Sequence, residues 1–350
     1  MTPSKGPMVL KKKRKGPITL AKGTVITLAL ILVLWETLLL LFGPLPEGWG
    51  KILAPAFLLA LLASLFLLKP RRRGLLVALV LMALPLIYWF SLKPSNNRDW
   101  RKDLAVLPYA TIKGDEITIH NIRNCDYRTD KDYDVHYYTK TFNLKDLCCV
   151  DMILSDWGLK KIVHTMFSFG FKKGDKIDYV CISIEVRKEK GEGYSSIRGF
   201  FRNYEIIYIV GDERDLIRLR TNFRKNPPEE VRLYRLKPQS PQVLKKVFLD
   251  FMERINRLRE HPQWYNALTS NCMTSAFFLM KPDAPRAKFD WRLILNGYAD
   301  RLLYEKGIID TNLSFQELRK ESLINKRAQA ADNSPDFSRL IREPPPRRKK

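Results

Sequence analysis

The chain has 350 residues, 45% of them hydrophobic, with five cysteines, four histidines and a formal net charge of +24. Such a length holds about two ordinary domains, and the long apolar runs all fall in the first hundred positions, so one evenly mixed globule is excluded. Seven basic and no acidic side chains in residues 1–22, four basic ones in 69–73 and six against Glu343 in 339–350 make up most of the charge excess. These groups flank apolar runs or sit in a tail, and no nucleic-acid motif accompanies them, which excludes RNA or DNA as the governing partner.

Three apolar runs come first: Val25 to Phe42 with the single charge Glu36, Ile52 to Leu68 with none, and Leu75 to Leu92 with none. A spanning helix needs about 17–25 residues, and the middle run is the shortest at roughly 26 Å for 1.5 Å per residue, so an interfacial or re-entrant element is the alternative there. Three membrane-spanning helices are expected. Pro55 and Pro85 fall inside the second and third, where neighbouring helices can satisfy the freed carbonyls. A carboxylate at the bilayer centre costs on the order of 3 kcal/mol, so Glu36 is expected near the outer headgroups or facing another helix. The basic flanks Lys11 to Lys15 and Lys69 to Arg73 belong on the cytoplasmic side, whereas Gly43 to Lys51 carries only Lys51 against Glu47. Three spans then put everything after Leu92 outside the cytoplasm. The first run ends in Gly43-Pro44-Leu45-Pro46 with no small-residue cleavage site, so it reads as a retained anchor.

The organisation expected is a basic cytoplasmic tail over 1–16, transmembrane helices over 17–92, a linker and strand-rich stretch over 93–145, a Cys/His domain over 146–311 and a polar tail over 312–350. Five cysteines in an oxidising compartment leave one unpaired. Cys148 and Cys149 are unsuited to bridging each other, and either could pair with Cys125 or Cys181. No C-x-x-C pair occurs, and no metal or cofactor is expected.

Glu116 to Ile122 alternates with period two, as do the flanks of the Tyr-rich stretch Tyr127 to Phe142. His120 and His136 in these stretches read as solvated or hydrogen-bonded strand residues. In the strand Ile162 to Phe171, His164, Met166 and Ser168 share one face and Val163, Thr165, Phe167 and Phe169 the other. A turn at Lys172 to Asp175 returns the chain as Tyr179 to Arg187, and antiparallel pairing brings Glu185 or Arg187 within reach of His164. Lys188 to Phe201 reads as a mobile flap with an apolar tip, Tyr204 to Val210 and Val231 to Leu236 as strands, and Asp215 to Phe223 as mixed helix and loop. Val243, Leu244, Val247, Phe248, Phe251, Ile255 and Leu258 form a helical stripe that ends at His261-Pro262. Asn325 to Lys350, polar and Pro-rich, reads as disordered.

After the stripe, Thr269, Ser270 and Asn271 run into Cys272 and the apolar run Ala276 to Met280, the pattern of a helix opening at or just before the cysteine. Unpaired backbone N–H groups and the positive end of the dipole there favour a thiolate, the nucleophilic form. A buried structural cysteine is the competing reading.

His164 in HTMFSFGF, Glu185 in SIEVRKEKGEGYS, the run YIVGDERDLIRLRTNF and Cys272 in YNALTSNCMT together resemble the Lnb-type N-terminal periplasmic domain family over about residues 115–311. That family comprises bacterial extracytoplasmic domains related to a lipoprotein N-acyltransferase, which moves an acyl chain within a lipoprotein's lipidated N-terminus. The order of His first and Cys last also resembles circularly permuted papain-like enzymes such as lecithin:retinol acyltransferase. The resemblance implies an α+β fold, with transmembrane helices followed by a permuted papain-like domain of antiparallel sheet plus helices. It implies Cys272 as nucleophile, His164 as base and Glu185 as the orienting group. Asn271, Arg187 and Tyr265 are candidates for oxyanion or substrate positioning. Met273 departs from the family pattern, where Thr is expected.

These readings converge on a membrane-anchored thiol acyltransferase at the outer face of a bacterial inner membrane, with a lipidated protein or a lipid as substrate. The alternatives are a cysteine hydrolase of amides or peptides in the cell envelope, and a non-catalytic envelope scaffold.

Overall fold

The computed structural model describes residues 17–237, 240–266, 290–293 and 295–343. The chain divides into two compact units, 1–93 and 94–350.

In the first unit α1 (Pro17–Phe42), α2 (Trp49–Phe66) and α3 (Arg71–Ser91) follow the three apolar runs. Gly23–Phe42 of α1, and α2 and α3 over their whole lengths, are long and apolar enough to cross a membrane, with mean hydropathies of 2.6, 1.8 and 2.2. Leu39, Ala54, Phe57, Leu61 and Ala78 are buried between the helices, while most other large apolar side chains point outward, the pattern of helices solvated by lipid. Close packing of α2 and α3 depends on Gly74, where a Cβ would lie 2.2 Å from the Ser64 carbonyl oxygen. Pro55 and Pro85 stand inside α2 and α3. Glu36 faces inward and is fully buried, and neither of its carboxylate oxygens has a hydrogen-bond partner among the described residues.

The second unit is built on an eight-stranded sheet among the described residues. Its strands are β1 (Tyr109–Lys113), β2 (Glu116–Arg123), β5 (Tyr137–Asn143), β6 (Leu147–Asp156), β7 (His164–Lys173), β8 (Lys176–Arg187), β9 (Glu205–Gly211) and β10 (Glu230–Arg235). The order is β1-β2-β9-β8-β7-β6-β10, with β5 also on β2, and all pairs are antiparallel except the single β2–β9 contact. Two short strands, β3 (Asp126–Tyr127) and β4 (Tyr133–Asp134), form a separate ribbon. The β7–β8 hairpin closes through Gly174-Asp175, with Gly174 at φ +59°, the left-handed backbone that a two-residue hairpin turn requires.

Both faces of the central strands are covered, so they read as near-continuous apolar runs. On the first face Phe167, Phe169, Phe171, Ile182, Ile184 and Tyr208 meet α5 (Pro241–Glu260), whose buried stripe is Leu244, Val247, Phe248, Phe251, Met252, Ile255 and Leu258. Phe248 lies edge-on to Phe169 and Phe171, with ring centroids 5.1 and 5.2 Å apart. Ser240 caps α5 by accepting from the Val243 N–H, and Pro241 follows at the first helical position. On the second face Ile153, Met166, Cys181, Ile207, Ile209 and Val231 are covered by Leu216 and Ile217 of α4 (Glu213–Arg218). After α6 (Ala299–Glu305) come α7 (Phe315–Glu321), α8 (Asn325–Ala330) and α9 (Phe337–Leu340), and Ile324, Ala328, Phe337 and Ile341 complete that second cluster.

The unit is therefore α+β, as expected. The disordered tail expected from Asn325 onward is corrected over the described part: apolar residues at 324, 328, 331, 337 and 341 recur at near-helical spacing and bury against the sheet. A capping box between Ser314 and Glu317 starts α7. Among the described residues no cysteine pair is bridged: Cys125, Cys148, Cys149 and Cys181 are free. Cys125 packs with Tyr127 and Tyr133 while Cys181 lies in the second-face cluster, so the two belong to separate cores. The flap at 188–201 is tied down, with Tyr204 Oη accepting from Ser195 N and donating to Gly193 O. Phe201 is buried and Tyr194, Ile197 and Phe200 remain exposed.

Candidate active site

His164 opens β7 on the second face of the sheet. In the β7–β8 register Met166 lies opposite Ser183, which sets His164 level with Glu185, and β6 puts Ser155 on the other side. Nε2 of His164 is 2.7 Å from Ser183 Oγ and 3.6 Å from Glu185 Oε1. Ser183 donates its hydroxyl to Glu185 Oε1 at 2.7 Å, and Arg220 Nη2 donates to the same oxygen at 2.8 Å.

Arg220 comes from a single π-helical turn, Leu219–Phe223, that continues α4. Such turns widen a helix and re-aim a side chain, and they are frequent at functional sites. Its Nη1 is held by the Leu216 carbonyl at 2.8 Å. Behind it stands a second carboxylate, Glu229, which accepts from Ser155 Oγ and from Arg224 Nη1, the latter at 2.7 Å. The row thus contains one imidazole, two carboxylates, two guanidiniums and two hydroxyls.

Burial comes first among the forces on His164, disfavouring its charged form. The neighbouring Arg220 acts in the same direction, and together they outweigh the attraction of Glu185 and bring the imidazole from 6.5 down to about 4. Burial alone would raise Glu185, but Arg220 and then His164 hold it well below the usual carboxylate range. At neutral pH the row therefore reads Arg220 charged, Glu185 ionised and His164 neutral, a state in which the imidazole can accept a proton.

Residues 133–297 match the family described as the Lnb N-terminal periplasmic domain. The chain carries an Lnb-type periplasmic domain. No curated protein and no solved structure matches the chain. With its three apolar helices, the protein is membrane-anchored and has a periplasmic domain.

The expected residues are placed as follows. His164 and Glu185 come together on adjacent strands. Arg187 does not join them: its guanidinium donates to Leu104 O, Ala105 O and Asn96 Oδ1 at 2.9 Å each and stacks over Trp100. The two residues lie two apart on one strand, but Arg187 is taken up by the segment that leads into the unit. Tyr265 is half-buried against the first-face core, and its N–H donates to Tyr204 O at 2.9 Å. Cys272 and Asn271, and the helix start expected around them, lie outside the described residues. His120 stacks on Tyr109 at 4.3 Å and bonds Thr111, and His136 is exposed, both apart from the row. Among the described residues no group of three or more His, Cys, Asp or Glu side chains is arranged to hold a metal ion.

Sequence reasoning missed Ser183, Arg220 and Glu229. Ser183 could have been found, because it shares the face of Glu185 by strand alternation. Arg220 and Glu229 carry no local signal, since a π turn and a loop after Pro227-Pro228 bring them in.

Proposed function

We propose that the protein is a thiol-dependent acyltransferase at the outer face of a bacterial inner membrane, passing an acyl group through a thioester on Cys272. The observation that carries this reading is the hydrogen-bond chain from Arg220 through Glu185 and Ser183 to a neutral His164, inside a domain of the Lnb periplasmic family. An imidazole held this way suits a general base that activates a nucleophile.

The reaction has two halves. Cys272 Sγ attacks the carbonyl carbon of an acyl ester while His164 takes the thiol proton. The C–S bond forms, the ester C–O bond breaks, and the departing alkoxide takes the proton back. An amine then attacks the thioester, its proton passes to His164, and the thiolate leaves and is reprotonated, giving an amide and the free thiol. The backbone N–H of Cys272 and that of Asn271 are the candidate donors to the oxyanion. A lipidated protein or a lipid is the substrate class, and a three-span anchor keeps the domain beside it. The basic segments Lys11 to Lys15 and Lys69 to Arg73 support a cytoplasmic N-terminus and a periplasmic catalytic unit.

The test is to incubate the full-length protein in proteoliposomes with a diacylated lipopeptide carrying an isotopically heavy acyl chain. The reading predicts a heavy acyl adduct on Cys272 and transfer of that chain to an amine. Discharge of the adduct by water alone would make the site a hydrolase, and absence of any adduct would remove thiol chemistry altogether.

A further inference from the structure

We infer that Ser183 is a positioning residue that fixes His164 as the Nε2–H tautomer, leaving Nδ1 as the nitrogen that accepts a proton. The argument is a count of protons along the chain. Glu185 is a carboxylate with acceptor oxygens only, and its Oε1 takes hydrogen bonds from Arg220 Nη2 at 2.8 Å and Ser183 Oγ at 2.7 Å. The Ser183 hydroxyl has one proton, and a bond to an ionised acceptor is roughly twice as strong as one between neutral groups, so the proton stays on the Glu185 side. Ser183 Oγ is then an acceptor toward His164. The 2.7 Å contact with Nε2 must be made by an N–H on that nitrogen.

Turning the hydroxyl toward His164 instead would set two acceptor oxygens, Ser183 Oγ and Glu185 Oε1, face to face at 2.7 Å with no proton between them. Arg220 secures the arrangement from behind: its side chain is 2% exposed and its second nitrogen is fixed by Leu216 O, so it holds Glu185 against rotation. Glu185, assigned from position as the orienting group, thus acts through Ser183. That Nδ1 serves Cys272 rests on the proposed function; the tautomer itself does not.

The chain has four histidines, so nitrogen-15 NMR of the full-length protein with labelled histidine gives few signals, and His164→Gln assigns the one of interest. The expected result at pH 7 is a neutral His164 with its proton on Nε2, retained in Ser183→Thr and replaced by a mixture of tautomers in Ser183→Ala. Acyl transfer should fall in Ser183→Ala by less than in His164→Gln, whose loss should lie in the range of about 10²–10⁴-fold that a general base supplies, with partial rescue in Ser183→Thr. A proton on Nδ1 in the unmodified protein, or a tautomer unchanged by Ser183→Ala, would overturn the inference. The unmodified protein alone decides the first of these, should Ser183→Ala fail to fold. No acyl transfer together with the Nε2–H tautomer would sink the proposed function and leave the role of Ser183 standing. Transfer that depends on His164 together with an Nδ1–H tautomer would do the reverse.

Discussion

Arg220 and Glu185 meet across 35 residues of sequence, Nη2 to Oε1 at 2.8 Å, with side chains only 2% and 17% exposed. Burial does most to keep His164 neutral, and Arg220 adds to it by repelling a protonated imidazole while it stabilises the carboxylate beside it. Replacing Arg220 by Met removes the repulsion and leaves Glu185 without its main counter-charge, so the His164 titration should move up from about 4. Breaking a buried pair in this way destabilises by about 3–5 kcal/mol, and Arg220→Lys should recover part of it. An NMR titration of His164 in the variant reads the shift directly. An unmoved midpoint would mean that Arg220 does not set the site's electrostatics.

Stability should respond to pH through the same histidine. The folded protein holds His164 near 4 whereas the unfolded chain titrates near 6.5, so between these values the unfolded state binds the extra proton. Stability from this group is complete above pH 6.5 and falls as the pH drops toward 4, by up to roughly 3 kcal/mol. Glu185 and the other depressed carboxylates lose stability over lower pH, so the comparison of interest is with His164→Gln. Denaturant midpoints of the two proteins at pH 7.5 and 4.5 should converge or cross as the pH falls, and parallel curves would contradict the assignment.

The C-terminal segment should prove structural. Arg342 donates through Nε to Asp151 Oδ2 and through Nη1 to Glu213 Oε2, both at 2.8 Å, and its guanidinium lies 3.4 Å from the Tyr179 ring centroid. Asp151 and Glu213 are themselves fully buried. Asp151 also pairs with Arg235, so Arg342→Met leaves Glu213 as the carboxylate without a charge partner among the described residues and should destabilise by about 3 kcal/mol, the lower end for a broken buried pair. Thermal unfolding of the detergent-solubilised protein measures this, and an unchanged midpoint would restore the picture of a dispensable tail.

Topology follows from the basic flanks. A reporter fused after Lys350 should be active only when it folds outside the cytoplasm, because Lys11 to Lys15 and Lys69 to Arg73 both belong inside. Cytoplasmic reporter activity would mean that one of the three apolar helices does not span.

Much of the framework was legible from residue pattern alone. Alternation in Val163 to Phe169 separated Val163, Phe167 and Phe169 from Met166 as the two cores do, and the stripe from Val243 to Leu258 located α5. Together with the hairpin turn, alternation also brought Glu185 to His164. Residues whose partners are set by tertiary structure were not legible. Arg187 has the same strand parity as Glu185 and looked equally available, yet carbonyls from Leu104 and Ala105 hold it. Arg220 reaches the site only because a π turn re-aims it, and no propensity forecasts that turn. The C-terminal helices escaped because Ile324, Ala328, Phe337 and Ile341 are diluted among polar residues, and each helix is too short to show an amphipathic stripe by itself.

The central claim is acyl transfer through Cys272 with His164 as base. Mass spectrometry of lipoprotein N-termini tests it most directly, in bacteria that carry the unmodified protein, Cys272→Ala, His164→Gln or none. The account predicts N-acylated lipoproteins with the unmodified protein alone, free amino termini in the other three, and a Cys272→Ala/His164→Gln double variant scarcely worse than either single one, since members of one catalytic unit are non-additive. Identical lipoforms in all of the strains would contradict it.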